Sequence, residues 1–175
     1  MQRALLAVLV IPMSLTAQQP GMPDGSRERA GIAPLLKLVG KWEGPATAAV
    51  GREMHSAHQV EDVSLGAGGT VLVVRGTGRL PQEQNRVIHD AVATIWFDAA
   101  SGKLKMKAHR MEGVMVEPEL ELKGDTLIWG FAVSGGRVRY TTVFSDTDWH
   151  EVGHFISDGG PPYKMMEMRL KKTGK

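Results

Sequence analysis

From Lys41 to the end of the chain, apolar and polar residues alternate with period two, in short runs separated by Gly, Ser, Asp and Pro. The clearest run is "GKLKMKAHRMEG". There Leu104, Met106 and Ala108 alternate with Lys103, Lys105 and Lys107. Alternation of this kind places one set of side chains on each face of a β-strand. In the next run, "VMVEPELELKGD", Val114, Val116, Leu120 and Leu122 share one face, and Glu117, Glu119 and Glu121 share the other. Glu112-Gly113 between the runs predicts a tight turn, so the pair reads as a hairpin with its lysine face beside its glutamate face. Exposed cross-strand pairs of this type contribute a few tenths of a kcal/mol each. Pro118 has no N–H to give to a ladder and predicts an edge, a bulge or a break at that point.

The same pattern recurs. "MHSAHQVEDVSL", "GTVLVVRGTGRL" and "VIHDAVATIWFD" upstream, and "TLIWGFAV", "VRYTTVF", "WHEVGHFI" and "YKMMEMRLKK" downstream, are strand candidates joined by two to six turn-forming residues. With an opening strand near residues 41–50, the total is about ten. Only "RAGIAPLLKLV", residues 29–39, has helical spacing, through Ile32, Leu35, Leu36 and Val39, with Pro34 near its start. Sequential short strands without room for crossover helices predict an antiparallel meander. Closure into an up-and-down barrel removes the two exposed edges such a meander would otherwise have. A two-sheet sandwich is the competing architecture. The expectation is therefore all-β: an antiparallel up-and-down barrel of about ten strands behind a short N-terminal helix.

The first residues change the picture. "MQRALLAVLVIPMSLTAQQP" carries Arg3, an apolar run from Ala4 to Leu15, and then Thr16-Ala17-Gln18. This charged, apolar, small-residue order predicts a secretory signal peptide over residues 1–17, cleaved after Ala17. The run is too short for a comfortable membrane span. A Gln-, Pro- and Gly-rich stretch follows, and residues 18–28 read as a flexible leader before a single domain over 29–175. The chain has no Cys, which excludes a lipid-modified cysteine, disulfides, thiolate metal sites and thiol catalysis. With 42% hydrophobic and 23% charged residues and a net charge of +2, nothing points to a nucleic-acid partner. The mature protein is expected to be soluble, in a periplasm or outside the cell, without stable membrane insertion.

The stretch "LVGKWEG", Leu38–Gly44, brings a resemblance. A helix or loop running into Leu-x-Gly-x-Trp-x-Gly at the first strand resembles the opening of lipocalin-like (calycin) barrels. The roles of floor-packing tryptophan and strand-bending glycines would then fall to Trp42, Gly40 and Gly44. "GGTVLVVRGTG", "ATIWFDAASGKLKM", "LIWGF", "RVRYTTVF", "WHEVGHFISDGG" and "MMEMRL" extend it. Together, over roughly residues 35 to 172, they look like a family of secreted bacterial proteins of unknown function, similar to small ten-stranded lipocalin-like barrels. The resemblance implies a fold and no established reaction. Lipocalin disulfides are absent, and so is the Arg-x-Tyr clamp of fatty-acid carriers: in "RVRY", Arg139 and Tyr140 are adjacent and face opposite sides of a strand.

Candidate chemistry is sparse. His150-Glu151-Val152-Gly153-His154 matches the His-Glu-x-x-His pattern of zinc hydrolases letter for letter. On a strand, however, four residues span about 13 Å, too far for one metal ion. A haem ligand is conceivable among His55, His58, His89, His109, His150 and His154, yet no pattern selects one, and no cofactor is predicted. Arg75 shares a face with Val71 and Val73, which allows it to point inward as a cavity residue, although for it and the other strand arginines at 110, 137 and 139 a place at the rim or on the outside is the more common one. Met166, Met168 and Leu170 form one face, and Met suits an adaptable apolar cavity. Phosphate loops, nucleotide fingerprints and nucleophile elbows are missing, and Glu61, Asp62 and Asp90 show no spacing of paired catalytic carboxylates. The expected function is noncovalent binding of a small, largely apolar molecule inside the barrel, with Arg75, Trp129, Tyr140, Met166 and Met168 as cavity residues. An enzyme is the less favoured outcome. A zinc hydrolase, a haem-binding barrel and a non-binding structural protein are the alternatives.

Overall fold

The computed structural model describes residues 24–50, 53–83 and 85–174. The expected signal peptide and residues 18–23 of the expected leader lie outside these. Eleven strand segments follow one another: β1 Gly40–Val50, β2 Glu53–Gly66, β3 Val71–Leu80, β4 Arg86–Asp98, β5 Lys103–Arg110, β6 Met115–Val116, β7 Glu119–Lys123, β8 Thr126–Val133, β9 Gly136–Phe144, β10 Asp148–Ser157 and β11 Tyr163–Gly174. Every pairing is antiparallel. The order β4-β3-β2-β1-β11-β10-β9-β8-β7-β5 closes on itself because β4 also pairs with β5. The first and last strands pair directly, Trp42 opposite Lys172 and Ala46 opposite Met168.

The segments β6 and β7 are two halves of one stave, both lying against β5, so the barrel has ten staves. The interruption falls at Glu117-Pro118, where the missing N–H ends the ladder. The predicted turn at Glu112-Gly113 is present, with Gly113 in the left-handed region at φ 77° and Arg110 N–H donating to the Val114 carbonyl at 2.9 Å. One lysine–glutamate pair of the hairpin forms, Lys107 Nζ to Glu117 Oε1 at 2.6 Å. Val114, expected on the apolar face, is exposed in the turn.

The helix differs from expectation in place and type. The α-helix α1 covers Ser26–Ile32, starting inside the stretch read as leader, and a 3-10 helix covers Ala33–Leu38. Pro34 explains the change: its ring clashes with the carbonyl four residues earlier, so the α-helix stops ahead of it and a tighter turn takes over. Together the two turns bury Ile32, Leu35 and Leu38 over one barrel end. The helix packs on β4, so closely that a Cβ on Gly31 would lie 2.0 Å from the Phe97 ring.

Trp42 closes that end. It has 0% exposure, its indole N–H donates to the Leu38 carbonyl at 2.7 Å, and its ring meets Trp149 edge to face at 5.8 Å between centroids. Lys172 Nζ lies 4.7 Å from the Trp42 ring centroid and donates to the Lys37 carbonyl. Gly44 is required by close approach, since a Cβ there would stand 2.2 Å from the Arg169 carbonyl oxygen. Gly40 combines φ 129° with a similar approach to Gly174, 2.5 Å. Around this floor, Leu127, Phe144, Met168, Leu170, Val63 and Ile95 complete a continuous core.

A candidate ligand cavity above a tryptophan floor

Inward-facing side chains leave an interior cavity of about 280 Å³. Its base is Leu38, Trp149 and Leu127, and its walls carry an alanine-rich apolar surface: Ala46, Ala57, Ala91, Ala93 and Ala108. Small residues at alternate positions on neighbouring staves keep the tube hollow, where leucines would have filled it. Trp129 and Tyr140, cross-strand partners on β8 and β9, stack on one wall at 3.9 Å between centroids and 14° between planes. Tyr140 has room because Gly153 faces it on β10, where a Cβ would lie 2.7 Å from the ring. Burial pushes the Tyr140 phenol up to about 12, with Glu151 adding to the shift.

Two carboxyl groups stand in this apolar interior. Glu61 on β2 and Glu151 on β10 each have 6% exposure and border the cavity. Both lie close to the floor: Glu61 is the cross-strand neighbour of Trp42, and Glu151 is two residues beyond Trp149 on the same face. Gln59 Nε2 donates to Glu61 Oε1 at 2.7 Å. The Thr142 hydroxyl donates to Glu151 Oε2, and the Trp129 indole N–H approaches that oxygen at 3.4 Å. Among the described residues, Glu61 Oε2 and Glu151 Oε1 have no hydrogen-bond partner. Removal from water disfavours the charged form, so burial pushes the Glu61 carboxyl up to about 8, against the lowering effect of Gln59. Burial raises the Glu151 carboxyl as well, opposed by Thr142 and Trp129. At neutral pH the cavity therefore holds at least one protonated carboxyl.

The space for Glu61 is made by the strand opposite. Gly76 and Gly78 on β3 face inward and pair with Glu61 and Gln59. A Cβ on Gly76 would lie 2.6 Å and 2.7 Å from the two Glu61 carboxyl oxygens, and one on Gly78 would lie 2.6 Å from Gln59 Oε1. The "RGTG" glycines thus serve to admit a polar pair into the barrel.

Of the residues expected in the cavity, Trp129, Tyr140, Met166 and Met168 border it together. Arg75 does not. It is exposed on the outer face, while Val74 and Gly76 on either side face inward. β3 carries valines on both faces, and the inward glycines leave no apolar marker on theirs, so the sequence pattern does not distinguish its inner face. Arg137 and Arg139 are exposed too, and Arg110, at the end of β5, is the arginine that borders the cavity. It pairs with Glu112 at 2.8 Å.

The His-Glu-x-x-His pattern dissolves on the strand. Its alternation sends Glu151 into the cavity, whereas neither His150 nor His154 borders it. His150 Nε2 instead lies 2.9 Å from Glu167 Oε1. Lys164, His150 and Arg169 together hold the Glu167 carboxyl down at about 2. Among the described residues no group of three metal-ligating side chains comes together. His89 is the one histidine on the cavity wall, and burial lowers its pKa, helped by Arg110, so it is neutral there.

Sequence reasoning missed Glu61 and Gln59, because on β2 the inward face carries two polar residues and reads as solvent-facing. Their signal lay on the neighbouring strand, in two glycines at matching spacing.

Two solved structures share this architecture. Rv2717c from M. tuberculosis matches with a TM-score of 0.62 at 10% identity, covering 82% of this chain and 97% of that one. The S-type phycobiliprotein lyase CPES from Guillardia theta matches with a TM-score of 0.57 at 11% identity, covering 86% and 95%. The fold is a lipocalin-like barrel. At these identities the likeness concerns the fold alone. No family model matches the chain, and no curated protein matches its sequence. Among the described residues, no helix is long and apolar enough to cross a membrane.

Proposed function

We propose that this lipocalin-like barrel is an exported protein that binds one small, largely apolar molecule noncovalently in its interior. The observation that carries the reading is the cavity itself: about 280 Å³, lined by alanines and aromatic rings over a closed floor. Native interiors pack densely, and a hollow of this size in a small domain forfeits contacts that larger side chains would have supplied. Such hollows are characteristic of binding sites. The likeness to a phycobiliprotein lyase is in keeping with this reading and, at 11% identity, transfers no substrate. Export rests on the charged, apolar, small-residue order of residues 1–17. The zinc reading is not favoured, since strand alternation separates Glu151 from the two histidines around it.

A titration with N-phenyl-1-naphthylamine, an uncharged apolar fluorophore, tests the reading. The wild-type protein should give saturable, equimolar enhancement, and Ala108→Trp, which fills the cavity from β5, should abolish it while retaining a cooperative melt. No enhancement with wild type, or equal enhancement with the folded variant, would refute interior binding.

A further inference from the structure

Resting on that reading, we propose that the barrel selects a ligand bearing a cationic nitrogen, a primary or secondary amine on an apolar or aromatic body, with its ammonium group held between Glu61 and Glu151 just above the Trp42–Trp149 floor. Four observations converge. Glu61 Oε2 and Glu151 Oε1 belong to side chains more than nine-tenths buried that border the cavity, yet neither oxygen has a partner among the described residues. Both oxygens keep access to the cavity, whereas the Trp149 indole N–H is the one fully buried side-chain polar atom without a partner among the described residues; an ammonium group has three N–H donors to offer to the carboxyl oxygens. Among the described residues no cation pairs with either carboxyl. Among the described residues, the titratable or charged side chains facing the cavity are Glu61 from β2, His89 from β4, Arg110 from β5, Tyr140 from β9 and Glu151 from β10, whereas β1, β3, β8 and β11 contribute none. His89 is neutral, and Arg110 is engaged with Glu112.

The third observation is the wall. Trp129, whose indole N–H already approaches Glu151, stacks with Tyr140 beside that carboxyl. Aromatic faces attract a desolvated cation and accept an aromatic body equally well. The fourth is the pair of inward glycines, Gly76 and Gly78, which keep the Glu61 carboxyl and Gln59 in a space that any larger residue would close. A carboxylate ligand would meet two acidic groups and no free cation at this depth. An alcohol would satisfy a single acceptor. A cation suits the site on charge, on donor number and on the aromatic wall. Its arrival favours ionised carboxylates, so a proton leaves the protein as the amine binds.

The test uses three probes with one octyl body: n-octylamine, 1-octanol and octanoate, titrated calorimetrically into the full chain at pH 7 in two buffers of different ionisation enthalpy. The amine is expected to bind at least tenfold more tightly than the alcohol, with octanoate weaker still. The buffer comparison should show net proton release approaching about one per amine bound. Glu61→Gln and Glu151→Gln should each weaken the amine at least tenfold and leave the alcohol within twofold. The wild-type proton release keeps the inference testable if either variant fails to fold. Octanol or octanoate binding as tightly as the amine, or amine binding without proton release, would overturn the head-group assignment and leave interior binding standing. Absence of binding by all three probes would overturn both.

Discussion

Replacing Glu61 by Gln changes almost nothing in shape and removes one buried ionisable group. In the folded protein this carboxyl titrates at about 8, against 4.5 for an ordinary glutamate. Between those values the folded state binds more protons than the unfolded chain, so stability is complete below pH 4.5 and falls as pH rises through 8. The gap of about 3.5 units corresponds to a ceiling of about 5 kcal/mol at about 1.36 kcal/mol per unit. Solvation from the cavity side reduces this to roughly 2 to 3 kcal/mol. The amide introduced by the substitution can still accept from Gln59 Nε2 and carries no charge at any pH. Wild type and Glu61→Gln should therefore melt within a few degrees of each other at pH 4.5, while at pH 9 the variant should melt higher by roughly 5 to 10 °C for a domain of this size. Glu151, raised in the same direction, keeps part of the alkaline loss in the single variant. Thermal melts by circular dichroism across pH 4.5 to 9 give the comparison. A variant whose pH dependence parallels that of wild type would refute burial of an ionisable Glu61.

Other predictions concern the frame around the cavity. Trp42→Ala should destabilise the fold by about 3 to 5 kcal/mol, read from denaturant midpoints, since it empties the floor and removes the bond to the Leu38 carbonyl. Gly76→Val should cost about 1 to 3 kcal/mol through overpacking against the Glu61 carboxyl, and Glu61→Ala should rescue it. Glu167 is held at about 2 by Lys164, His150 and Arg169, so its contribution is present above pH 4.5 and lost as pH falls through 2. Glu167→Gln should flatten the acid limb of the stability profile, whereas an unchanged limb would show that the cluster does not hold this carboxylate.

Most of the frame was legible because it rests on local patterns. Strand positions from β2 to β11 followed from alternation and turn residues, and Pro118 marked the split stave, since a missing N–H acts wherever the residue sits. Trp42 under the helix was legible through the glycines around it, whose close contacts with Gly174 and Arg169 the structure shows directly. The interior was harder. On β3, valines on both faces hid the parity and sent Arg75 inward on paper, while the informative residues were the side-chainless Gly76 and Gly78. Glu151 lay inside a pattern that draws the eye to its histidines, and only its strand conformation separates them. The pairing of Glu61 with Gly76, and of both carboxyls with one cavity, depends on register across strands distant in sequence, which no local pattern encodes. Cavity volume is a difference between a barrel's girth and its contents, and the alanines read equally well as tight packing.

Native mass spectrometry of the protein, purified without denaturation from its own host, tests interior binding most directly. The predicted spectrum shows a small molecule released on collisional activation, lost from the Ala108→Trp variant and basic enough to be detected as a cation after release. A spectrum of bare protein, together with failure of both N-phenyl-1-naphthylamine and n-octylamine to bind, would contradict the account.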